Sequence, residues 1–498
     1  MNTPTEPVAN QPIRFGTRSA AALLSGHWFK YVLQVVSVVV LSRMLSPDDY
    51  GLLAMTTGIV AFATVLGDLG LSMAALQSRT ITPAQQSNLF WLNTASGILL
   101  FLVFNACTTV IVEYYQNPGV ASLCRILSLN FVFNGMSAQF RIEANRRGQF
   151  GRVSLVESIA GAVGIAVGVT GATFGLGARA LGWQQVAVAG VTLVGLVLAV
   201  RWRPGMPSRH AQMRQLVSFG GSVMLIQMLV AINQSVDAVA LGRYQLPSVV
   251  GVYDRSRQIS VMPIQQLATP MTRLAIPKIS QEGPAAGSPL VPALAVHEPL
   301  AFISTAMLAL VAMNGELFAR VLLGANWVGV GHVVSALSLA AAIQMSGYVY
   351  YWLLVASGQQ RTLLLSELVP RVTMIIAIFA LAKWGVLAVA WCWVGGQALM
   401  IATACIYALP RIGVTTGEAF RVAFRYTWPF VLITGTFPWV VELVTVHAGW
   451  GIDSHYAVAL ASGLAAMGAA LVVWRDGRSM LGRIFRLAKN TLKGVPEP

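Results

Sequence analysis

Charged residues are scarce in this 498-residue chain: Asp, Glu, Lys and Arg together make up only 10% of it. Soluble domains carry about 25% charged residues, so the composition excludes an ordinary soluble protein. Apolar residues make up 56% of the chain, and the mean hydropathy is +0.67. A membrane-spanning helix needs about 20 mostly apolar residues, and the chain holds many such runs. The composition therefore predicts an all-α polytopic membrane protein.

Motifs of reactive chemistry are also lacking. The four cysteines lie in apolar runs without CxxC spacing, which favours small packing residues over disulfides or metal ligands. The sequence contains no Walker-type phosphate loop, no HExxH pair and no nucleophile elbow. We therefore expect no ATPase domain, no metal site and no catalytic residues.

Apolar runs predict about 14 transmembrane helices, arranged as two pseudo-symmetric six-helix lobes plus two C-terminal helices. The predicted order is a cytoplasmic arm (1–18), an N-lobe (19–202), a cytoplasmic linker (203–215), a C-lobe (216–410), spans thirteen and fourteen (411–474) and a basic cytoplasmic tail (475–498). The runs are Ala20–Met44, Tyr50–Leu76, Asn88–Val112, Val120–Phe140, Val153–Phe174, Leu181–Val200, Leu216–Leu241, Val249–Ile276, Leu300–Leu323, Val328–Ala356, Thr362–Ala382, Val386–Leu409, Phe424–Val446 and Tyr456–Trp474. The Pro- and Ala-rich stretch from Gly283 to Pro299 is predicted to be flexible.

Positive charge sets the predicted orientation. Most of the 33 Lys and Arg residues fall in alternate connections between the runs. Because cytoplasmic loops are enriched in Lys and Arg, we predict that both termini are cytoplasmic. The same bias accounts for the net charge of +15, so no nucleic-acid partner is expected. The connections predicted to lie outside hold only Arg43, Arg179, Arg243, Arg320 and Lys383.

A short motif recurs in the two predicted lobes. Leu41–Leu53 reads LSRMLSPDDYGLL, and Leu241–Tyr253 reads LGRYQLPSVVGVY. Such a repeat in a membrane protein indicates two related halves around a central site. We predict that each copy forms a tight turn of Pro followed by Gly, joining the first two helices of its lobe. The matched pairs are Leu41 and Leu241, Arg43 and Arg243, Pro47 and Pro247, and Gly51 and Gly251.

Polar residues inside the apolar runs are the candidate functional residues. A charge at the centre of a membrane helix costs about 2.5–3.5 kcal/mol, so such residues usually face a cavity or a partner. The alternative for the uncharged ones is polar contact between helices. The candidates for substrate binding are Lys30, Gln34, Asn130, Asn134, Gln234, Arg255, Arg257 and Arg371. The candidates for ion coupling are Asp68, Glu157 and Asp237.

The eighth run combines two arginines with prolines at seven-residue spacing. Pro263, Pro270 and Pro277 share one face, and each removes a backbone hydrogen bond, so we predict a hinge at Pro263 and Pro270. Arginine suits a phosphate because its planar fork donates two hydrogen bonds at once. The alternative is that Asp254 pairs with one of these arginines. For Glu367 and Arg371, four residues apart, an intrahelical ion pair is the leading interpretation.

Several segments together carry a resemblance to a known family. They are the series from Arg43 to Gly51 and the segments GDLGLSMAALQ (Gly67–Gln77), FWLN (Phe90–Asn93), GVYDRSRQI (Gly251–Ile259) and PKIS (Pro277–Ser280). These segments resemble the Wzx-type oligosaccharide flippases, in the exopolysaccharide exporter branch of the multidrug/oligosaccharidyl-lipid/polysaccharide exporter superfamily. One departure is that several acids accompany the basic residues here, which leaves open whether the lumen is cationic throughout.

The resemblance implies a function and its partners. The family moves an undecaprenyl-diphosphate-linked oligosaccharide repeat unit from the cytoplasmic to the periplasmic leaflet of the bacterial inner membrane, for exopolysaccharide or other surface polysaccharide synthesis. We expect alternating access without ATP and without a cofactor, with H⁺ or Na⁺ as a candidate coupling ion. A polysaccharide polymerase and chain-length machinery are candidate protein partners. The alternatives are a multidrug antiporter of the same superfamily and a polytopic polysaccharide polymerase or ligase.

Overall fold

The computed structural model describes residues 17–424, apart from 79–80, 210, 212, 284–287 and 325, together with residue 461. The predicted spans thirteen and fourteen and the basic tail lie almost entirely outside the described residues. Within the described part the regular structure is helical. The helices are α1 (Thr17–Met44), α2 (Pro47–Asp68), α3 (Leu71–Gln77), α4 (Pro83–Ala106), α5 (Thr108–Tyr115), α6 (Gly119–Arg146), α7 (Phe150–Thr173), α8 (Ala178–Val200), α9 (Arg214–Tyr244), α10 (Pro247–Glu282), α11 (Leu290–Met313), α12 (Gly315–Leu323), α13 (Val330–Ala356), α14 (Gln360–Leu381), α15 (Val386–Thr403) and α16 (Thr416–Phe424).

Every apolar run up to Leu409 overlaps a long helix, and three of the runs are interrupted, at Leu69–Gly70, at Cys107 and at Asn314. Among the described residues, 10 helices are long and apolar enough to cross a membrane. The prediction of an all-α polytopic membrane protein is confirmed, whereas the total of fourteen spans stays a prediction.

Two differences from the predicted boundaries concern Gly70 and the stretch before Pro299. The run Tyr50–Leu76 is broken at Leu69 and Gly70, which have φ values of 49° and 67°. Gly70 also contacts α9, because a Cβ there would lie 2.0 Å from the Gly220 carbonyl oxygen. The stretch predicted to be flexible before Pro299 is helical from Leu290, since α11 includes Pro299 in its interior. The prediction of flexibility, made from the Pro and Ala content, was therefore wrong for the residues from Leu290 onward.

The chain divides into two compact units. The first unit comprises the described residues of Met1–Leu45 together with Ile59–Ile232, and the second comprises Ser46–Gly58 together with the described residues of Asn233–Pro498. The first turns of α2 thus belong to the second unit with α10. The divisions fall between α1 and α2, inside α2 and inside α9. The predicted lobe boundary at the linker 203–215 stays a prediction.

The first part of that linker, around Gly205 and Ser208, is hydrogen-bonded to α4. The Asn88 side chain donates to the Ser208 carbonyl at 2.7 Å and accepts from the Ser208 N–H at 2.8 Å. The Ser87 hydroxyl accepts from the Gly205 N–H, and the Trp91 indole donates to the Gly205 carbonyl, both at 2.9 Å. These bonds satisfy the extended backbone, so this part of the predicted linker is fixed to the first unit.

The two copies of the repeated motif pack against each other. A Cβ on Gly51 would lie 1.7 Å from the Pro247 carbonyl oxygen, and a Cβ on Gly251 would lie 2.0 Å from that of Pro47. Each proline begins its helix, where its missing N–H costs nothing. In addition, Asp48 accepts a hydrogen bond from the Ser248 N–H at 3.1 Å. We call this reciprocal contact the glycine clasp.

The clasp corrects the predicted role of the glycines. The turns are formed by the residues before each proline, whereas Gly51 and Gly251 lie inside helices. They are required because only a residue without Cβ lets two helix backbones approach this closely. The spacing of Pro and Gly by four residues, one helical turn, is the signal that distinguishes a helix contact from a turn.

We predict that Gly51→Ala and Gly251→Ala lower the stability of the purified protein, because the new methyl group overlaps backbone atoms that cannot rotate away. Overpacking of this kind costs about 1–3 kcal/mol or more. The measurement is the thermal unfolding midpoint in detergent. Gly395→Ala in α15 is the matched control, since a Cβ there meets nothing within 4 Å. Equal midpoints for Gly51→Ala, Gly251→Ala and Gly395→Ala would contradict the clasp.

Candidate functional site

In the first unit, Glu157 of α7 joins two basic residues. Its carboxylate accepts a hydrogen bond from the Lys30 amine of α1, and its second oxygen lies 3.3 Å from Nη2 of Arg141 on α6. The side chain of Glu157 is 19% exposed, whereas those of Lys30 and Arg141 are about half exposed. The structure thus brings together a predicted substrate residue and a predicted coupling residue. Two cations share one carboxylate, so the cluster carries one net positive charge.

Arg141 was missed as a site residue because its position near the cytoplasmic end of a run placed it among the loop charges. A signal was available. Asn130, Asn134, Ser137 and Arg141 follow one another at spacings of four and three residues, so they form one row on α6. The polar row predicted for this helix therefore ends at the guanidinium.

A second cluster lies in the second unit and centres on Asp237 of α9, which is 1% exposed. The Tyr253 hydroxyl of α10 donates to its Oδ2 at 2.9 Å. Nε of Arg257, one turn further along α10, lies 3.5 Å from the same oxygen. Arg257 also donates from Nη1 to the Gln234 carbonyl at 2.6 Å. The predicted coupling residue Asp237 and the predicted substrate residue Arg257 are therefore an ion pair.

Two more helices border this second cluster. Arg257 lies over the ring of Trp393 on α15, with its guanidinium carbon 5.0 Å from the ring centroid. Arg371 of α14 donates to Oδ1 of Asn233 at 3.2 Å, and Asn233 precedes Asp237 by one turn of α9. The sequence reasoning named neither Trp393 nor Asn233, because uncharged residues in apolar runs carry no signal of their partners.

The intrahelical ion pair expected between Glu367 and Arg371 is present, with Nη2 of Arg371 2.9 Å from the carboxylate. Arg255 pairs with its neighbour Asp254 at 2.6 Å, as the alternative interpretation of this segment expected. The Arg255 guanidinium also lies 4.3 Å above the Tyr50 ring. These contacts give Arg255 a structural role in the second unit, and substrate binding by Arg255 or Arg371 stays a prediction.

The remaining candidates are dispersed. Gln34, Asn134 and Gln234 are exposed, whereas Asn130 is 7% exposed. Oδ1 of Asn130 is buried, and the structure shows no hydrogen-bond partner for it. Ser37, which aligns with Asp237 in the repeat, accepts a hydrogen bond from Gln184 and so acts as polar contact between helices.

Asp68 contacts a residue four positions further along the chain, and the prolines of α10 lie in a continuous helix. The Asp68 carboxylate accepts from the Ser72 hydroxyl, which bridges the break between α2 and α3. Helix α10 continues through positions 263, 270 and 277 without interruption, while the side chains of Pro263 and Pro270 lie outside what the structure describes. The hinge therefore stays a prediction. In the described part of the chain, no group of three His, Cys, Asp or Glu residues is placed to hold a metal ion.

The family assignment follows from a comparison with known proteins. The model of the family described as "Polysaccharide biosynthesis protein" matches residues 40–332. The chain belongs to this family. The matched region includes the glycine clasp and the Asp237–Arg257 pair, whereas Lys30 and Arg371 lie outside it. The family assignment thus agrees with the resemblance inferred from the sequence.

Two curated relatives match shorter stretches. The lipopolysaccharide biosynthesis protein WzxC of Escherichia coli (strain K12) is 26% identical over 251 residues, which are 50% of this chain and 51% of that protein. The teichuronic acid biosynthesis protein TuaB of Bacillus subtilis (strain 168) is 23% identical over 319 residues, 63% of this chain and 65% of that protein. The matches thus span between half and two thirds of the length of these relatives.

Solved structures support the fold. The lipid II flippase MurJ in an inward closed conformation has a TM-score of 0.71 at 12% identity, covering 93% of this chain and 99% of that chain. An inward-facing multidrug resistance MATE family transporter of the MOP superfamily has a TM-score of 0.57 at 13% identity, covering 79% and 98%. This member of the polysaccharide biosynthesis family is therefore a multi-pass, all-helical membrane protein.

We predict that Glu157→Gln lowers the thermal unfolding midpoint, because it leaves Lys30 and Arg141 close together without their shared counter-charge. Both cations are about half exposed, so solvent screens the effect, and we expect about 1 kcal/mol or less. The loss should shrink as NaCl rises from 50 mM to 500 mM. Glu113→Gln, an exposed change on α5, is the control. A salt-independent loss, or the same loss in both variants, would refute the shared-carboxylate arrangement.

Proposed function

We propose that this protein is a flippase that carries a polyprenyl-diphosphate-linked oligosaccharide repeat unit from the cytoplasmic to the periplasmic leaflet of the bacterial inner membrane, for exopolysaccharide or other surface polysaccharide synthesis. The observation that carries the proposal is the Arg257 guanidinium, paired with a buried carboxylate in the helices of a polysaccharide biosynthesis family member. A guanidinium at this depth is costly, and its planar fork matches a phosphate.

The cations have distinct roles in this proposal. Lys30 and Arg141, which are half exposed and carry one net positive charge with Glu157, attract the diphosphate from the cytoplasmic side. Arg257 binds it in the second unit. The exposed amides of Gln34, Asn134 and Gln234 bind the glycan, and the polyprenyl tail stays in lipid.

Transport proceeds by alternating access, with both termini cytoplasmic. An inside-negative potential favours outward movement of an anion by about 2.3 kcal/mol per charge per 100 mV. A diphosphate with about two charges therefore gains several kcal/mol, so ATP is not required. Asp237, Glu157 and Asp68 are the candidates for a coupling H⁺ or Na⁺. A polymerase and chain-length machinery would use the product outside.

The multidrug antiporter is the weaker alternative. To attract cationic drugs, a site needs carboxylates that are not neutralised by a basic partner. In the described part of the chain, Asp237, Glu157 and Glu367 are each paired with a basic residue. The local charge of these clusters is neutral or positive, which favours an anionic cargo.

Deletion of the gene should abolish the surface polysaccharide and accumulate lipid-linked repeat units in the inner leaflet. The measurement is the amount of polymer together with the leaflet distribution of the lipid-linked unit, determined by its accessibility to a periplasmic glycosidase. Accumulation of unpolymerised units in the outer leaflet would refute the flippase and indicate a polymerase.

Complementation then tests the anion site. Loss of a hydrogen bond to a charged group costs about 1.5–3 kcal/mol, so Arg257→Ala should lower export about tenfold or more. Arg257→Lys should retain an intermediate level, because it keeps the charge and loses the fork. Arg179→Ala, an exposed change at the start of α8, should export normally. Full export by both Arg257 variants would show that the diphosphate binds elsewhere.

A further inference from the structure

The Asp237–Arg257 pair is buried on one side only. Asp237 is 1% exposed, whereas the Arg257 side chain is 24% exposed. Oδ1 of Asp237 is buried, and the structure shows no hydrogen-bond partner for it. The carboxylate thus has an oxygen available for a small cation, and the Arg257 side chain is not fully enclosed.

The contact between the two groups is loose. Their 3.5 Å separation exceeds the 2.7–3.2 Å typical of an N–H···O hydrogen bond. Other groups hold each partner independently. The Tyr253 hydroxyl holds Asp237 at 2.9 Å, and the Gln234 carbonyl and the Trp393 ring hold Arg257. Either charge can therefore exchange its partner without losing its position.

Charge balance decides which exchanges are favourable. The pair is neutral as it stands. A diphosphate with about two negative charges, added alone at Arg257, leaves that whole charge in excess, and a cation added alone at Asp237 leaves one positive charge. Uncompensated charge in a buried site costs several kcal/mol. When a monovalent cation is added together with the diphosphate, each group of the pair keeps an opposite charge as its partner, and the excess negative charge is halved.

We propose that Asp237 and Arg257 form a charge switch: a monovalent cation, H⁺ or Na⁺, taken up by Asp237 frees Arg257 to bind the diphosphate, so that cation and anion bind cooperatively. The switch rests on the proposed function, since it assumes that Arg257 binds the diphosphate. Because coupling between sites is reciprocal, the anion raises the affinity of Asp237 for the cation by the same factor.

Other ionisable groups lie on the helices that form or border this site. The charged ones do not replace the pair, because each has a partner outside it. Asp254 is paired with Arg255, Glu367 with Arg371, and Asp48 caps the first turn of α10. The groups on the neighbouring helices are Asp48 and Asp49 on α2, Tyr253, Asp254 and Arg255 on α10, Glu367 and Arg371 on α14, and Cys392 on α15.

The test uses the purified full-length protein in detergent with farnesyl diphosphate as the probe. Its dissociation constant is measured with Na⁺ or choline at equal ionic strength, and between pH 6.0 and 8.0. Coupling between sites is commonly about 5- to 150-fold. We expect Na⁺, or acidification, to tighten binding to the wild type by about tenfold. Asp237→Asn should bind about tenfold more tightly than the wild type at pH 7.5 in choline, without a response to Na⁺.

Two controls separate the switch from other effects. Glu113→Gln removes one negative charge at an exposed position of α5 and should bind like the wild type. Tighter binding by Asp237→Asn should disappear in Asp237→Asn/Arg257→Gln, because the gain acts through Arg257. The pH response of the probe itself is common to all variants, so only the difference between the wild type and Asp237→Asn counts.

The outcomes distinguish the switch from the proposed function. If Arg257→Gln binds the probe as tightly as the wild type, the anion site itself is wrong. If Arg257→Gln loses binding while Asp237→Asn matches the wild type, the anion site stands and the switch is refuted. One outcome needs no variant. If the wild type binds the probe with equal affinity in Na⁺ and in choline, and with equal affinity from pH 6.0 to 8.0, the switch is overturned even if Asp237→Asn fails to fold.

Discussion

The cost of placing a charge inside a membrane protein governs this molecule. Each basic residue that the sequence places deep in a described helix and that was singled out for function is paired with an acid: Lys30 with Glu157, Arg255 with Asp254, Arg257 with Asp237 and Arg371 with Glu367. An isolated charge at the centre of a membrane helix costs about 2.5–3.5 kcal/mol, and a counter-charge removes much of that cost. The acids that looked like a departure from a cationic lumen are therefore the condition for keeping the cations there.

The pairs are not equivalent. Arg255 is 11% exposed and lies between Asp254 and the Tyr50 ring, so its interactions stabilise the packing of the helices. Glu157 serves two half-exposed cations, and the excess charge is available to attract an anion. Arg257 combines a loose ion pair with partial exposure, which makes it the cation best able to change partners. In the proposed mechanism, function depends on how incompletely each pair is satisfied, since a fully satisfied pair has no charge left to bind a ligand.

Sequence reasoning reached the fold more completely than the site. Hydropathy located the long helices because length and apolarity are local properties, and the repeat located the glycine clasp without revealing that its copies touch. Spacing predicted the Glu367–Arg371 pair, since i and i+4 share a helix face. The pairs between helices, Glu157 with Lys30 and Asp237 with Arg257, depend on helix packing. One sequence without an alignment does not contain that information, so acids and bases in different runs were assigned to different tasks.

The charge switch has a consequence for the energy of transport. A diphosphate with about two negative charges gains about 4.6 kcal/mol at 100 mV when it moves outward alone, but only about 2.3 kcal/mol when one cation accompanies it. A cation carried outward also moves against an inward H⁺ or Na⁺ gradient. The switch therefore lowers the driving force while it lowers the barrier to loading. For a carrier whose substrate must leave the cytoplasmic headgroup region for a buried arginine, loading is the step at which desolvated charge is most costly. Neutralising one charge during loading removes several kcal/mol of desolvation cost. That gain exceeds the roughly 2.3 kcal/mol of driving force that the accompanying cation removes at 100 mV.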